Sequence, residues 1–361
     1  MLRRVPARPR PPTGGDERVL TQREFNRALL ARQGLIDGHR GRVPAVLDKI
    51  GGIQAQYAPA MYVGLWSRMQ SLGRSEVTRA LERRTAVQGT LLRSTIHLVS
   101  KADYWPTALA IRQSRRALHL RVIKSDPPEA EWLSAADRLR AALADGPMQR
   151  RQVDALVGRR FRTGIGVWID LVRIPPSGTW ERRPADLFGL AEDWVGPETG
   201  TEAAGVELLV RRYLGGFGPA RPADIASWAG LPVVTITEAL SGFETRAFRD
   251  PAGKPLVDLP GASLPDAEAR VPVRFLPTWD ATLLVHARRT LVLPEEHRPA
   301  VFSTKNPHSV GTFLVDGAVA GTWRYDAGRV VLTELTQLSP TARAELVAEA
   351  ERLTAFHDDA R

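Results

Sequence analysis

Gly51-Gly52-Ile53-Gln54-Ala55-Gln56-Tyr57-Ala58-Pro59-Ala60 separates two helical patterns, Pro44–Ile50 and Met61–Gln70. The paired glycines end the first pattern, since glycine loses most entropy in a helix and takes conformations other residues avoid. Pro59 suits the first turn of the next helix and turns Ala58 away from helical dihedrals. What lies between is a short link carrying Gln54 and Gln56. In a helix, side chains two apart diverge; in an extended segment they point the same way. An extended link therefore aims two carboxamides at one place, each with an acceptor oxygen and two N–H donors. Such a pair suits an oriented water, a base edge or a phosphate. The alternative is local: glutamines after a helix also bond nearby backbone carbonyls and do no chemistry.

Outward from this link, the pattern is helices followed by a hairpin. Thr21-Gln22-Arg23-Glu24 is a capping box that starts a helix to about Arg32. Ser75–Arg83 is a further short helix. Over Thr85–Val99 the period changes to β-type residues interrupted by Gly89 and Arg93-Ser94, which reads as a two-stranded wing. Asp103–Arg121 follows as a helix bearing Arg112, Arg115 and Arg116. The same grammar recurs. Ser134–Ala144 and Gln149–Val157 are helical, and Gly166–Ile174 and Thr179–Glu181 are strand-like around a Pro-Pro-Ser-Gly turn. Glu202–Leu214, Arg221–Ala229 and Pro232–Leu240 are helical, and Phe243–Asp258 is a hairpin. From Ala269 strands dominate: Val271–Leu276, Thr282–Val285, Gly311–Val315, Ala318–Tyr325 and Arg329–Leu335, with Asp316-Gly317 a strong hairpin turn. Pro340–His357 closes the chain as a helix.

The expected fold is therefore α+β: three tandem winged-helix units with a C-terminal β-rich domain. The expected boundaries are a disordered basic arm at 1–18, units at 19–125, 126–200 and 201–262, and the β-rich domain at 263–361. A chain of 361 residues exceeds what one core usually serves.

Composition narrows the chemistry. There is no cysteine, which removes disulfides, thiolate nucleophiles and cysteine-based zinc sites. The seven histidines show no metal-ligand spacing, so no metal or other cofactor is expected. Gly164-Ile165-Gly166 lacks the third glycine of a phosphate loop, and no Gly-x-Ser-x-Gly elbow exists. No long apolar run or signal-peptide core appears, so a soluble cytoplasmic protein without membrane contact is expected. It is further expected to be monomeric and nucleoid-associated. Net charge is +10. That excess suits a polyanion, because cationic side chains release counterions condensed on nucleic acid. Only five of the 50 basic residues are lysine, a bias that a GC-rich genome also produces.

Several blocks together carry a family likeness. Gly51–Gln56, Gly64-Leu65-Trp66-Ser67-Arg68, Leu92-Arg93-Ser94-Thr95-Ile96-His97-Leu98-Val99, Leu209–Leu214 through Gly230, and Phe275-Leu276-Pro277-Thr278-Trp279-Asp280 stand in order from about Leu20 to about Leu335. In this the chain resembles the AlkZ-like DNA glycosylases, winged-helix proteins. It falls with the branch bearing Gln-aliphatic-Gln, not with the related YcaQ branch bearing Gln-aliphatic-Asp. Ala55 is smaller than the usual middle residue.

The resemblance implies that Gln54 and Gln56 are catalytic, holding and polarising a water that attacks C1′ of a damaged nucleotide in double-stranded DNA. A carboxamide is a weak general base, so it serves only where the leaving group is already activated. Alkylated purines qualify, because N7-alkylguanine and N3-alkyladenine carry a positive charge. Bulky adducts and interstrand cross-links from a genotoxic natural product extend the same class, and the likeness allows a self-resistance role. No lysine occupies a family-matched catalytic position, so a monofunctional glycosylase without lyase activity is expected. Arg93, Thr95 and His97 on the first wing, with Arg112, Arg115 and Arg116 on the following helix, are the expected DNA-binding residues. For His97 a satisfied structural histidine is an equal alternative, and for the helix a plain solvated face. Trp279, as core, with Asp280 and His286 are read as structural. The family's Asp-Arg pair is replaced here by Arg288-Arg289. The binding-only alternative for the whole chain is a winged-helix transcriptional regulator.

Overall fold

In the computed structural model the described residues are 18–284, 289–302 and 309–358. The capping box is present as read: the Thr21 side chain accepts from the Glu24 N–H, and the Glu24 carboxylate accepts from the Thr21 N–H at 2.7 Å. Helices Gln22–Arg32, Val43–Ile50, Ala58–Arg68 and Arg74–Glu82 precede the hairpin Ala86–Thr90 and Ile96–Ser100. A 22-residue helix, Lys101–Val122, follows, its N-terminus capped by Ser100 accepting from Asp103.

The hairpin is not a free wing. It belongs to a six-stranded antiparallel sheet in the order Ile53–Gln54, Ile96–Ser100, Ala86–Thr90, Leu171–Arg173, Leu187–Leu190, Met148–Gln149. The first and second expected units thus share one sheet, joined where Gly89 lies opposite Val172. Its two faces are buried by two different cores. Ile53, Ala55, Ala86 and Leu98 face a cluster that runs through Met61, Tyr62 and Leu65 to Phe275, Phe313, Leu346 and Leu353 of the C-terminal region. Val87, Leu91, Val99 and Val172 face a second cluster with Tyr104, Leu209, Tyr213, Trp228 and Ile236. Burying both faces leaves no polar side to the sheet's centre, which is why its strands read as mostly apolar.

Two strand expectations are corrected. Thr179–Glu181 is not a strand; the second strand is Leu187–Leu190. The intervening loop is stitched by Ser177, whose hydroxyl donates to the Pro184 carbonyl and accepts from the Asp186 and Leu187 N–H groups. Trp180 is thereby free to pack edge-on against Tyr62 at 5.6 Å. Within Thr282–Val285, the described part is helix Ala281–Leu284. There the buried Asp280 carboxylate accepts from the Thr282 N–H at 3.0 Å and hydroxyl at 2.8 Å, capping a turn that strand-type side chains would not suggest.

The remaining elements follow the reading closely. Helices Glu202–Phe217, Pro222–Ala229 and Val233–Leu240 lead to the hairpin Arg246–Arg249 and Pro255–Asp258. Strands Arg274–Leu276, Gly311–Val315, Ala318–Asp326 and Arg329–Glu334 form a four-stranded sheet, crossed by helix Pro340–Asp358. Asp316 and Gly317 have φ of 47° and 81°, the paired positive values a type I′ turn requires. The basic arm lies outside the described residues except for Arg18, which pairs with Glu24.

Candidate active site

Helix Val43–Ile50 ends because Gly51 and Gly52 both take left-handed dihedrals, with φ of 76° and 75°. Their N–H groups both reach back to the Leu47 carbonyl, satisfying an orphan acceptor of the helix end. The chain emerges extended, and Ile53 and Gln54 pair with Leu98 and His97. The ladder continues one residue further through the Ala55 N–H to the Ile96 carbonyl at 2.7 Å. Helix Ala58–Arg68 then begins with Pro59 in its first turn. It presses on the link so closely that a methyl group on Gly64 would stand 2.3 Å from Ile53 Cδ1.

The alternation is as an extended link demands. Ile53 and Ala55 are buried, Gln54 is half-buried, and Gln56 is exposed. The small side chain of Ala55 is accommodated by the core around Met61 and Leu98. The two carboxamides differ in what they are tied to. Gln56 Oε1 accepts from the Ile96 N–H at 3.1 Å, replacing the backbone acceptor the departing strand no longer supplies. That contact fixes the amide orientation, since only the oxygen accepts, and leaves the NH₂ without a hydrogen-bond partner among the described residues. The Gln54 carboxamide has no hydrogen-bond partner among the described residues.

His97 is the cross-strand neighbour of Gln54 and therefore lies on the same face. It is 4% exposed, and burial pushes its imidazole down to about 3, so the ring is neutral at physiological pH. Its Nδ1 is 3.1 Å from the Thr95 carbonyl. A carbonyl can only accept, so Nδ1 carries the proton and Nε2 is an acceptor. With Nδ1–H committed to the Thr95 carbonyl, the neutral ring is satisfied as the structural alternative for His97 describes. His357 is likewise pushed down, to about 4, chiefly by burial. Both shifts are depressions, so the unfolded chain binds protons that the native one refuses below the ordinary histidine pKa of about 6.5. Stability should be complete above that value and fall as pH drops from 6.5 towards 5, before most carboxylates titrate. Thermal melts across this range check it: His97→Asn should flatten the slope, and a melting temperature indifferent to pH would contradict it.

The wing tip is a tight turn in which Arg93 and Ser94 have φ of 52° and 60°. Thr95 closes it, its hydroxyl donating to the Leu92 carbonyl at 3.1 Å. Arg93 is exposed, as expected of a tip, but its guanidinium also donates to the Trp228 carbonyl in the third helical group. The long helix departs more from the reading. Arg112 binds Asp170 and Glu198; Arg115 is buried and donates to the Thr90 carbonyl at 2.6 Å; Arg116 stacks over Trp168 at 5.2 Å and donates to its carbonyl. These three arginines face inward and clamp the helix to the second unit, instead of forming a basic track.

Asp280 is buried and receives Arg68 at 2.8 Å, in keeping with a structural role. Trp279 is corrected from core to half-buried; its backbone has φ of 57° and is held by the Ser309 hydroxyl at 2.7 Å. His286 and Arg288 lie outside the described residues, as does the Arg289 side chain. Among the described residues no group of three histidines or carboxylates could hold a metal ion. No helix among them is long and apolar enough to cross a membrane.

A cleft beside Gln56 escaped the sequence reading. It is lined by Gln56, Ser94 and Ile96 from the first unit and by Arg150, Arg162, Arg173 and Phe188 from the second, and encloses about 370 Å³. Nothing in the pattern of a short apolar strand marks Arg173 as facing such a space.

Comparison with known proteins agrees with this architecture. The structure is similar to that of the Streptomyces sahachiroi DNA glycosylase AlkZ, with a TM-score of 0.76 at 18% identity, over 94% of this chain and 97% of that one. At that identity the likeness speaks for the fold. No curated protein matched the chain by sequence. The family model described as DNA glycosylase AlkZ-like matches residues 47–356, from just before the glutamine link to the final helix. That span sets aside the regulator alternative: the chain belongs to the AlkZ-like DNA glycosylase family.

Proposed function

We propose that this glycosylase hydrolyses the N-glycosidic bond of cationic alkylpurines in duplex DNA, and that Gln54 and Gln56 organise the attacking water. The reading rests on one observation above the others: Gln54 presents an uncommitted carboxamide on a rigid strand within a family of DNA glycosylases. The purine leaves with both bonding electrons, which neutralise its charge. Water oxygen then bonds to C1′, and the proton it sheds passes to solvent. Strong basicity is not needed here: Gln54 Oε1 has only to accept from the water, and the Gln56 NH₂ to donate to it. Among the described residues no carboxylate lines the cleft beside Gln56, so neutral bases, with poor leaving groups, should stay in place. Incubating the protein with duplex containing N7-methylguanine and assaying free base tests the proposal. Absence of release from N7-alkylguanine, N3-alkyladenine and bulky N7 adducts alike would sink it.

We further read the chain as three helix-and-wing units feeding DNA past this link, the first two fused through their shared sheet. A labile substrate does not require a fitted base pocket, so a close approach from one groove can replace tight base recognition. Rates should then stay within about tenfold, a barrier change of ~1.4 kcal/mol, as the N7 substituent grows from methyl to a bulky group. Single-turnover measurements over an adduct series check this, and a collapse beyond methyl would indicate a closed pocket. Affinity should fall steeply with salt, as phosphate contacts dominate. A role in self-resistance belongs to the same proposal and would require adducts of a natural-product toxin to be excised.

A further inference from the structure

Arg173 is 8% exposed, yet it has no carboxylate partner among the described residues. Its Nη1 donates to the Thr90 hydroxyl at 2.7 Å, its plane lies over Phe188 at 5.1 Å, and its Nε is buried without a partner. Asp170, three residues earlier in the chain, serves other cations instead, Arg112 at 2.8 Å and Arg115 at 3.5 Å. The charged side chain that does act on Arg173 is another cation, Arg150. Burial lowers its pKa only to about 10, so the guanidinium stays charged at neutral pH. A buried, uncompensated cation is strongly unfavourable, and replacing it by an apolar side chain of similar volume is often neutral or stabilising. Stability therefore gives no reason to keep it.

Its position does. Arg173 lines the cleft with Gln56, Thr90, Ser94, Arg150 and Arg162. Arg150 is held at the rim by Asp154 and the Arg162 carbonyl, while Ser94 is exposed at the wing tip. Two neighbouring cations, hydroxyl groups and the remaining Nη2 donor of a pre-stacked guanidinium suit an oxygen-rich monoanion.

We propose that Arg173 is the floor of a phosphate seat, which takes one backbone phosphodiester of the strand carrying the lesion and so fixes the register of its C1′ against Gln56. The proposal rests on the chain acting on DNA, and makes Arg173 a positioning residue that need not touch the reacting atoms. Its Nη2 has no partner among the described residues and is the group left for the phosphate.

The test is a phosphate scan by binding. Duplexes carrying a cationic pyrrolidine abasic analogue, with single methylphosphonates walked along that strand, are titrated with wild type, Arg173→Gln and Arg173→Lys. Wild type should lose about tenfold or more in affinity at one phosphate, the value of a hydrogen bond to a charged group. Arg173→Gln should bind the unmodified duplex about tenfold more weakly and be indifferent to the methylphosphonate at that one position, keeping the rest of the profile. Arg173→Lys, which keeps charge without the fork, should fall between. Thermal melts should show no loss of stability in Arg173→Gln. An unchanged scan in Arg173→Gln, or equal weakening at every phosphate, would overturn the proposal. If the glutamine variant does not fold, the lysine variant decides by whether the same position responds. Because the probe is not hydrolysed, failure of wild type to release alkylpurines would count against the substrate reading and leave this result standing.

Discussion

Gln54→Ala is expected to lower the single-turnover rate of base release by about two to three orders of magnitude, the usual cost of removing one preorganised polar group from a transition state. If Gln54 acts on the water as proposed, duplex affinity should stay within about twofold, because the interaction removed is not with the ground-state substrate. Among the described residues the side chain has no hydrogen-bond partner, so its removal orphans none of them. Gln56→Ala should cut the rate as well, but with a second consequence. It strips the acceptor from the Ile96 N–H, so the strand end loosens and melting temperature falls slightly. The difference between the two variants in stability, at similar loss of rate, is the signature of the arrangement. Rapid-quench assays with active-site titration and parallel thermal melts would measure both. If affinity fell in step with rate in both variants, the pair would be anchoring DNA instead of ordering water.

The second large effect is structural. Asp280→Ala should destabilise the protein by about 3–5 kcal/mol, since it leaves the Arg68 guanidinium charged and buried without its counter-ion. Both side chains are at most 1% exposed and meet at 2.8 Å. Arg68 also donates to Gln33 Oε1 and the Gly64 carbonyl, so the pair ties the helix after the glutamine link to the C-terminal sheet. Asp280 additionally starts the short helix Ala281–Leu284. Denaturant unfolding should show the midpoint shift. Pairing the variant with Arg68→Met should recover part of the loss, and a double variant as unstable as the sum would contradict a coupled pair.

How much of this was legible in the sequence depends on how local the cause is. The Thr21 capping box, the Gly51-Gly52 stop, the Asp316-Gly317 turn and the extended link at Gln54 are decided by neighbouring residues, and each was readable. Arg112, Arg115 and Arg116 were not. Their spacing on a helix resembles a solvated basic face, while Asp170 and Glu198, which draw two of them inward, lie 58 and 86 residues away from Arg112. The helix Ala281–Leu284 was misread for the same reason. Its residues favour strands, and its cap is held by Arg68, 212 residues earlier. Arg173 combined both difficulties: one charge in an apolar strand, facing a cleft built by two distant parts of the chain.

The sheet shared by the first and second units sets a limit on dissection. A strand in mid-sheet has both edges satisfied; severing the chain between units would leave Ala86–Thr90 with one edge of open N–H and C=O groups, a template for pairing with other copies. Its apolar faces would add to the hazard, since one is sealed by the helices around Tyr213 and the other by the C-terminal sheet and helix. A minimal fragment holding only the glutamine link should therefore aggregate before it catalyses. The stretch proposed to carry the chemistry has no existence as a separable module.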